Sequence, residues 1–270
     1  TEIVALNESF HGRTLGSVSI TGHEAYRAPF APLVPGARFV APNDEAALAS
    51  AVSEATLAIF LEPIQGEGGI IPMTRSFLSL ARRLADRTGA LLVFDEIQCG
   101  LGRTGTLFAF QRTGVVPDIV TMAKPLGGGL PLGAAVTGPA LEGVIRPGQH
   151  GTTFGGNPIS CRLGLTLLDE IERGGLLAKV AAMGEWFGKT LRKAQKKCPA
   201  ITDIRGAGLM WGIEMNREAG PVAKELLARG FVVGTSRERV LRILPPYVVP
   251  RAALAKFVVT LTQILTETPS

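Results

Sequence analysis

A chain of 270 residues, 46 % hydrophobic and 19 % charged, is long enough to bury a substantial core and is neither disordered nor fibrous in composition. Its 28 Lys and Arg against 23 Asp and Glu leave a formal charge of +5, and the one basic cluster, residues 189–197, is interleaved with Leu191 and Ala194 like the solvated face of a helix, so a nucleic-acid groove is not expected. The three cysteines are odd in number and far apart, no apolar run approaches the roughly 18 residues of a membrane span, and no signal-peptide core opens the chain; a soluble protein of the reducing cytoplasm is expected, without disulfide framework, metal centre or membrane partner.

The chain opens on Thr1-Glu2-Ile3-Val4-Ala5-Leu6, a run with the texture of a buried strand and no methionine before it, as in a piece of a longer protein. Strand-like runs at 3–6, 57–61, 91–94 and 119–122 alternate with helical stretches, the pattern of a parallel sheet covered by helices. Between the second and third runs Phe77, Leu80, Ala81, Leu84 and Ala85 recur at helical spacing, and Gly89 stands where a capping glycine closes a helix. An apolar run at 133–136 follows the glycine corner 127–129 and reads as a further strand of the sheet. From Pro158 to about Lys197 the pattern is helical. After Pro199 come strands at 201–205 and 210–214, a helix near 221–229, strands near Val232 and Leu241, and a last helix. The expected division is a large domain over 1–158, connecting helices over 159–198 and a smaller α+β domain over 199–270.

In open α/β sheets ligands collect at the carboxyl ends of the strands. There the sequence places Asn7-Glu8-Ser9-Phe10-His11-Gly12-Arg13, Glu62 to Gly69, Asp95-Glu96-Ile97-Gln98, and Ala123-Lys124. A lysine in such a place points to a Schiff base, and pyridoxal phosphate chemistry needs this set: an amine for the aldehyde, an acid for the pyridine nitrogen, an aromatic over the ring and a polar group for the phenolic oxygen. Lys124, Asp95, Phe10 and Gln98 fill those roles. Singly, Asp95 could be a loop cap, Lys124 a snorkelling lysine and Phe10 a core residue; their succession at four strand ends is what favours chemistry.

Six ordered motifs carry a resemblance. They are Ser9-Phe10-His11-Gly12-Arg13-Thr14, Glu62-Pro63-Ile64-Gln65-Gly66-Glu67-Gly68-Gly69, the run from Asp95 to Gly105, the run from Ala123 to Gly129, the run from His150 to Pro158, and Arg205-Gly206-Ala207-Gly208-Leu209-Met210. Together they resemble the successive signatures of class III aminotransferases, nearest to the branch that acts on acetylornithine and on the acylated lysine precursor. The resemblance implies an α/β, fold-type I enzyme: a mostly parallel sheet with helices on both faces, plus a smaller C-terminal α+β domain. It implies pyridoxal 5'-phosphate on Lys124, with Phe10, Asp95, Glu96, Ile97, Gln98 and Lys124 around the cofactor and Thr153 reaching the phosphate of the neighbouring subunit in a homodimer.

On the same resemblance Arg13 and Thr152 meet the acylated substrate, and Arg205 clasps the α-carboxylate of the amino donor or of 2-oxoglutarate. Glu67 matches a gate carboxylate that pairs with that arginine. Arg13 and Arg205 could instead be surface ion-pair residues, Thr152 and Thr153 caps of a helix starting near Pro158, and Glu62 a structural acid. The relatives also carry a further N-terminal segment with a phosphate-binding loop, upstream of the first residue here. The expected reaction moves the terminal amine of N-acetylornithine to 2-oxoglutarate. Alternatives are the acylated-lysine, ornithine and 4-aminobutyrate reactions, and a non-catalytic remnant acting as a dimerisation module.

Overall fold

The computed structural model describes residues 1–267. In chain order its elements are β1 (Glu2–Leu6), α1 (Leu15–Ser19), α2 (Glu24–Arg27), β2 (Ala37–Val40), α3 (Glu45–Ala51), β3 (Thr56–Leu61), the short strands β4 (Ile64–Gln65) and β5 (Ile71–Pro72), α4 (Arg75–Thr88), β6 (Leu91–Asp95), β7 (Ile119–Met122) and β8 (Ala134–Thr137). There follow α5 (Pro158–Glu172), α6 (Leu176–Gln195), β9 (Ile201–Ala207), β10 (Met210–Met215), α7 (Ala219–Ala228), β11 (Gly234–Ser236), β12 (Val240–Ile243) and α8 (Arg251–Glu267).

The first sheet has six strands in the order β2-β1-β3-β6-β7-β8. All its pairs are parallel except β7 with β8. That exception follows from the connection: the glycine corner joins the two strands without a crossover helix, so the chain returns antiparallel. Val4, Leu6, Ile59, Leu61, Leu92 and Phe94 are wholly buried in the sheet's core, and α4 lays Phe77, Leu78, Ala81 and Leu84 against them. The helix starts where Thr74 Oγ1 accepts the amide of Phe77 at 3.2 Å and stops at Gly89, whose φ of 74° is left-handed.

The second sheet is antiparallel, in the order β11-β12-β10-β9. Its apolar face shares a core with α6, α7 and α8, built around Phe187, Leu191, Leu209, Ile213, Leu241 and Leu261. The basic face of α6 is solvated as expected, with Lys189 paired to Glu185 at 2.5 Å. The single helical stretch expected over 158–197 is two helices. Gly174 and Gly175 break it, the latter at φ 67°, because two glycines and a left-handed residue end an α-helix. The strand expected near Val232 begins at Gly234 instead, leaving Val232 exposed. Strand β2 was not foreseen, since Ala37-Arg38-Phe39-Val40 carries too little alternation to stand out.

Among the described residues no helix is long and apolar enough to cross a membrane. The carboxyl ends of β1, β3, β6 and β7 all open on one edge of the first sheet, toward the second. Gly89→Ala forces a side chain into a left-handed conformation with no steric collision, so its cost is backbone strain alone: about 1–2 kcal/mol of unfolding free energy, read by urea denaturation.

Candidate active site

Asp95 closes β6 and is almost wholly buried. Its Oδ2 lies 2.8 Å from Nδ1 of His11, and its Oδ1 accepts the amide of Ile97 at 3.0 Å. His11 is fixed in turn. Its backbone amide donates to Thr21 Oγ1 at 3.0 Å and its ring stands edge-on to Phe60 at 4.6 Å, while Nε2 is buried without a hydrogen-bond partner among the described residues. Glu62, just beyond β3, accepts the amides of Phe10 at 3.1 Å and Gly66 at 2.9 Å. Burial pushes its pKa up to about 7, with the nearby Asp95 adding to the rise and His11 opposing it.

These groups floor a cavity of about 230 Å³ lined also by Phe10, Glu67, Ile97, Gln98 and Lys124. A second cavity of about 450 Å³ adjoins it through Glu67, Gln98 and Lys124 and extends to Arg103, Arg242 and Leu244. Lys124, in the turn after β7, is exposed on the wall common to both. Phe10 faces Tyr26 edge-on at 5.7 Å, and the Arg13 guanidinium lies 5.3 Å from the Phe10 ring and 4.6 Å from that of Tyr26. At the mouth Arg242 Nη1 is 2.5 Å from Glu67 Oε1, which also accepts from Gln98 Nε2 at 3.3 Å. A Cβ on Gly66 would lie 2.1 Å from Gln98 Oε1, so a side chain there would push the Gln98 amide aside.

Several sequence-based assignments change. Glu67 pairs with Arg242, not Arg205. The Arg205 guanidinium is taken up by Asp203 at 2.7 Å, Glu214 at 2.6 Å and the carbonyl of Gly69 at 2.8 Å, because β9 sets it beside β10 rather than over the cavity. Glu96 turns away from the cavity. Its two oxygens accept the amides of Ala109 and Phe110 at 2.8 and 2.9 Å, capping the short turn at 109–112, and burial raises its pKa to about 7. Thr152 and Thr153 are exposed and line neither cavity; Thr152 Oγ1 accepts the amide of Gly155 at 3.2 Å, and Asn157 caps α5. Arg242 and His11 join the site without having been singled out by the sequence, and Glu62, weighed there as a structural acid, holds two backbone amides while lining the cavity. The available signal for Arg242 was a lone cation within the apolar run Val240-Leu241-Arg242-Ile243-Leu244.

The aminotransferase class-III family model matches residues 1–265. The mitochondrial acetylornithine aminotransferase of Alnus glutinosa is 44 % identical over 98 % of this chain and 59 % of its own length. The acetylornithine aminotransferase of Methanocaldococcus jannaschii is 41 % identical over 98 % of this chain and 67 % of its own. Among solved structures, the ornithine aminotransferase of Toxoplasma gondii ME49 superposes with a TM-score of 0.92 at 32 % identity, over 99 % of this chain and 65 % of that one. The N-acetylornithine aminotransferase of Stenotrophomonas maltophilia K279a gives 0.81 at 31 %, over 98 % and 66 %. The chain thus spans about three fifths to two thirds of the length of these relatives.

Because Glu62 and Glu96 each hold a proton in the folded chain up to about pH 7 and release it near 4.5 when unfolded, the folded state binds more protons between those values. Stability is therefore greatest below pH 4.5 as far as these two groups are concerned, and falls as pH rises toward 7, by on the order of 3 kcal/mol for each. Glu62→Gln flattens that slope and lowers the low-pH plateau, since one amide loses its acceptor; urea unfolding from pH 4 to 7.5 measures both.

Proposed function

The chain belongs to the class III aminotransferases, a pyridoxal-phosphate-dependent family, and from that premise we propose that it transfers the terminal amine of N-acetylornithine to 2-oxoglutarate, giving N-acetylglutamate semialdehyde and glutamate. The observation that carries the reading is the meeting of Phe10, Asp95, Gln98 and Lys124 at one cavity. That donor set fits pyridoxal 5'-phosphate: an amine for its aldehyde, a buried carboxylate for its ring nitrogen, an amide for its phenolic oxygen and an aromatic face beside the ring. When bound, the cofactor supplies an electron-accepting ring.

The residues do the rest. Asp95 would hold the ring nitrogen and is itself held by His11 and by the Ile97 amide, so its carboxylate is already oriented for that task. Lys124 would hold the cofactor's aldehyde, and its amine is the group to move a proton at the substrate's amine-bearing carbon. Arg242 takes the clasping role first expected of Arg205. Paired with Glu67 it presents a neutralised wall to the acylated donor, and released from Glu67 it offers its fork to the α-carboxylate of glutamate or 2-oxoglutarate. Arg13 lines neither cavity, but its guanidinium beside Phe10, which does, supports its meeting the acylated end.

Partner and domain assignments are part of the same proposal. The exposed apolar residues Val144, Ile145, Phe154 and Ile159, near Thr152 and Thr153 in sequence, support a homodimer in which Thr153 serves the neighbouring subunit's cofactor phosphate. The two sheets support a large domain over 1–158 and a small one over 199–270, joined by the helices of 159–198. Ornithine is the second reading, favoured by the higher superposition with an ornithine enzyme.

Single-turnover rates with N-acetylornithine, N-acetyl-lysine, free ornithine and 4-aminobutyrate test the choice of donor. N-Acetylornithine is expected to be fastest; a preference for free ornithine moves the chain to the second reading, and no turnover of any donor by the folded, cofactor-loaded chain favours a non-catalytic module. Arg242→Ala is expected to slow the half-reaction with glutamate by about a hundredfold in kcat/KM and to leave that with N-acetylornithine within a few fold.

A further inference from the structure

On the far side of the Arg103 loop from the catalytic cavity lies a separate cleft of about 290 Å³. The loop is stitched to the second sheet by the amide of Leu209, which donates to the Arg103 carbonyl at 2.9 Å, and by Arg103 Nη1, which donates to the carbonyl of Pro245 at 2.5 Å. Consecutive residues thus face two cavities: Arg103 the catalytic one, Thr104 the cleft. α6 forms the opposite wall and lies against the β9–β10 turn so closely that a Cβ on Gly184 would stand 2.3 Å from the carbonyl oxygen of Gly208.

Into this cleft project Arg112, Lys189 and Arg192, with Glu185 as the one acid. Glu185 is already engaged by Lys189. The two guanidiniums are held without a carboxylate partner among the described residues: Arg112 Nη1 donates to the carbonyl of Thr104 at 3.2 Å, and Arg192 lies 5.5 Å from the ring of Trp211. Positioned guanidiniums on opposite walls, each with donors to spare, form a fork for paired oxygens. We propose that this cleft is a second ligand site, taking a small organic dianion, a phosphate monoester or a dicarboxylate, between Arg112 and Arg192. Its ligand bridges the two sheets, since Arg112 belongs to the loop that follows β6 and Arg192 to α6.

Titration calorimetry of the whole chain with glycerol phosphate and, separately, with glutarate tests this, against the Arg112→Gln/Arg192→Gln, Glu185→Gln and Arg242→Gln variants. The expected result is saturable binding of one or both probes, the saturating probe identifying the anion. Binding weakens at least about tenfold in the double arginine variant, tightens in Glu185→Gln, where Lys189 is released, and persists in Arg242→Gln. Should the double variant fail to fold, Glu185→Gln and Arg242→Gln alone decide. The proposal is overturned if neither probe saturates below about 10 mM, if Glu185→Gln leaves the affinity unchanged, or if binding vanishes with Arg242 and so belongs to the catalytic cavity.

Discussion

Arg242 projects from β12 toward a loop that belongs to the other sheet, and its Nη1 lies 2.5 Å from Oε1 of Glu67. Around that ion pair the loop is bound again: Ser236 Oγ donates to the carbonyl of Glu67, and Arg205 Nε donates to the carbonyl of Gly69 at 2.8 Å. The candidate cavity has one wall from each sheet, so its width depends on this seam. Both partners are partly exposed, and an ion pair of that kind is worth little as a source of stability. Its consequence is positional: it sets a guanidinium and a carboxylate at the cavity mouth.

Three acids close to one another meet different fates because their surroundings differ. Asp95 has an imidazole and an amide on its oxygens, and lines the cavity. Glu62 has two amides, yet burial dominates and raises its pKa to about 7. Glu96 has two amides and a thiol, its pKa is raised to a similar value, and it faces away from the cavity. Of the three, Asp95 and Glu62 line the cavity, and only Asp95 is backed there by an imidazole. The neighbours in sequence, Asp95 and Glu96, therefore divide chemistry from architecture within one turn.

The parallel sheet was legible because its strands are short apolar runs ending in polar residues, and the end of α4 because Gly89 has a backbone suited to a cap. The direction of β8 was not, since an apolar run of four residues carries no mark of which way it runs. At the site, Lys124, Asp95, Gln98 and Phe10 could be read from their places after strands. The Glu67 partner could not: Arg205 and Arg242 both sit on strands of the second sheet, and only the cross-strand position of Glu214 shows which guanidinium is already neutralised. Glu96 misled for a related reason, since sequence adjacency to Asp95 says nothing about which way a side chain turns at a strand end.

The central claim is that this chain holds pyridoxal phosphate on Lys124. Borohydride trapping of the cofactor on the folded protein, followed by peptide mass mapping, tests it most directly, with Lys124→Ala as control. The account predicts a single labelled peptide containing Lys124 and no label in the variant. Label spread over other lysines, or none on a folded wild-type chain, would contradict it.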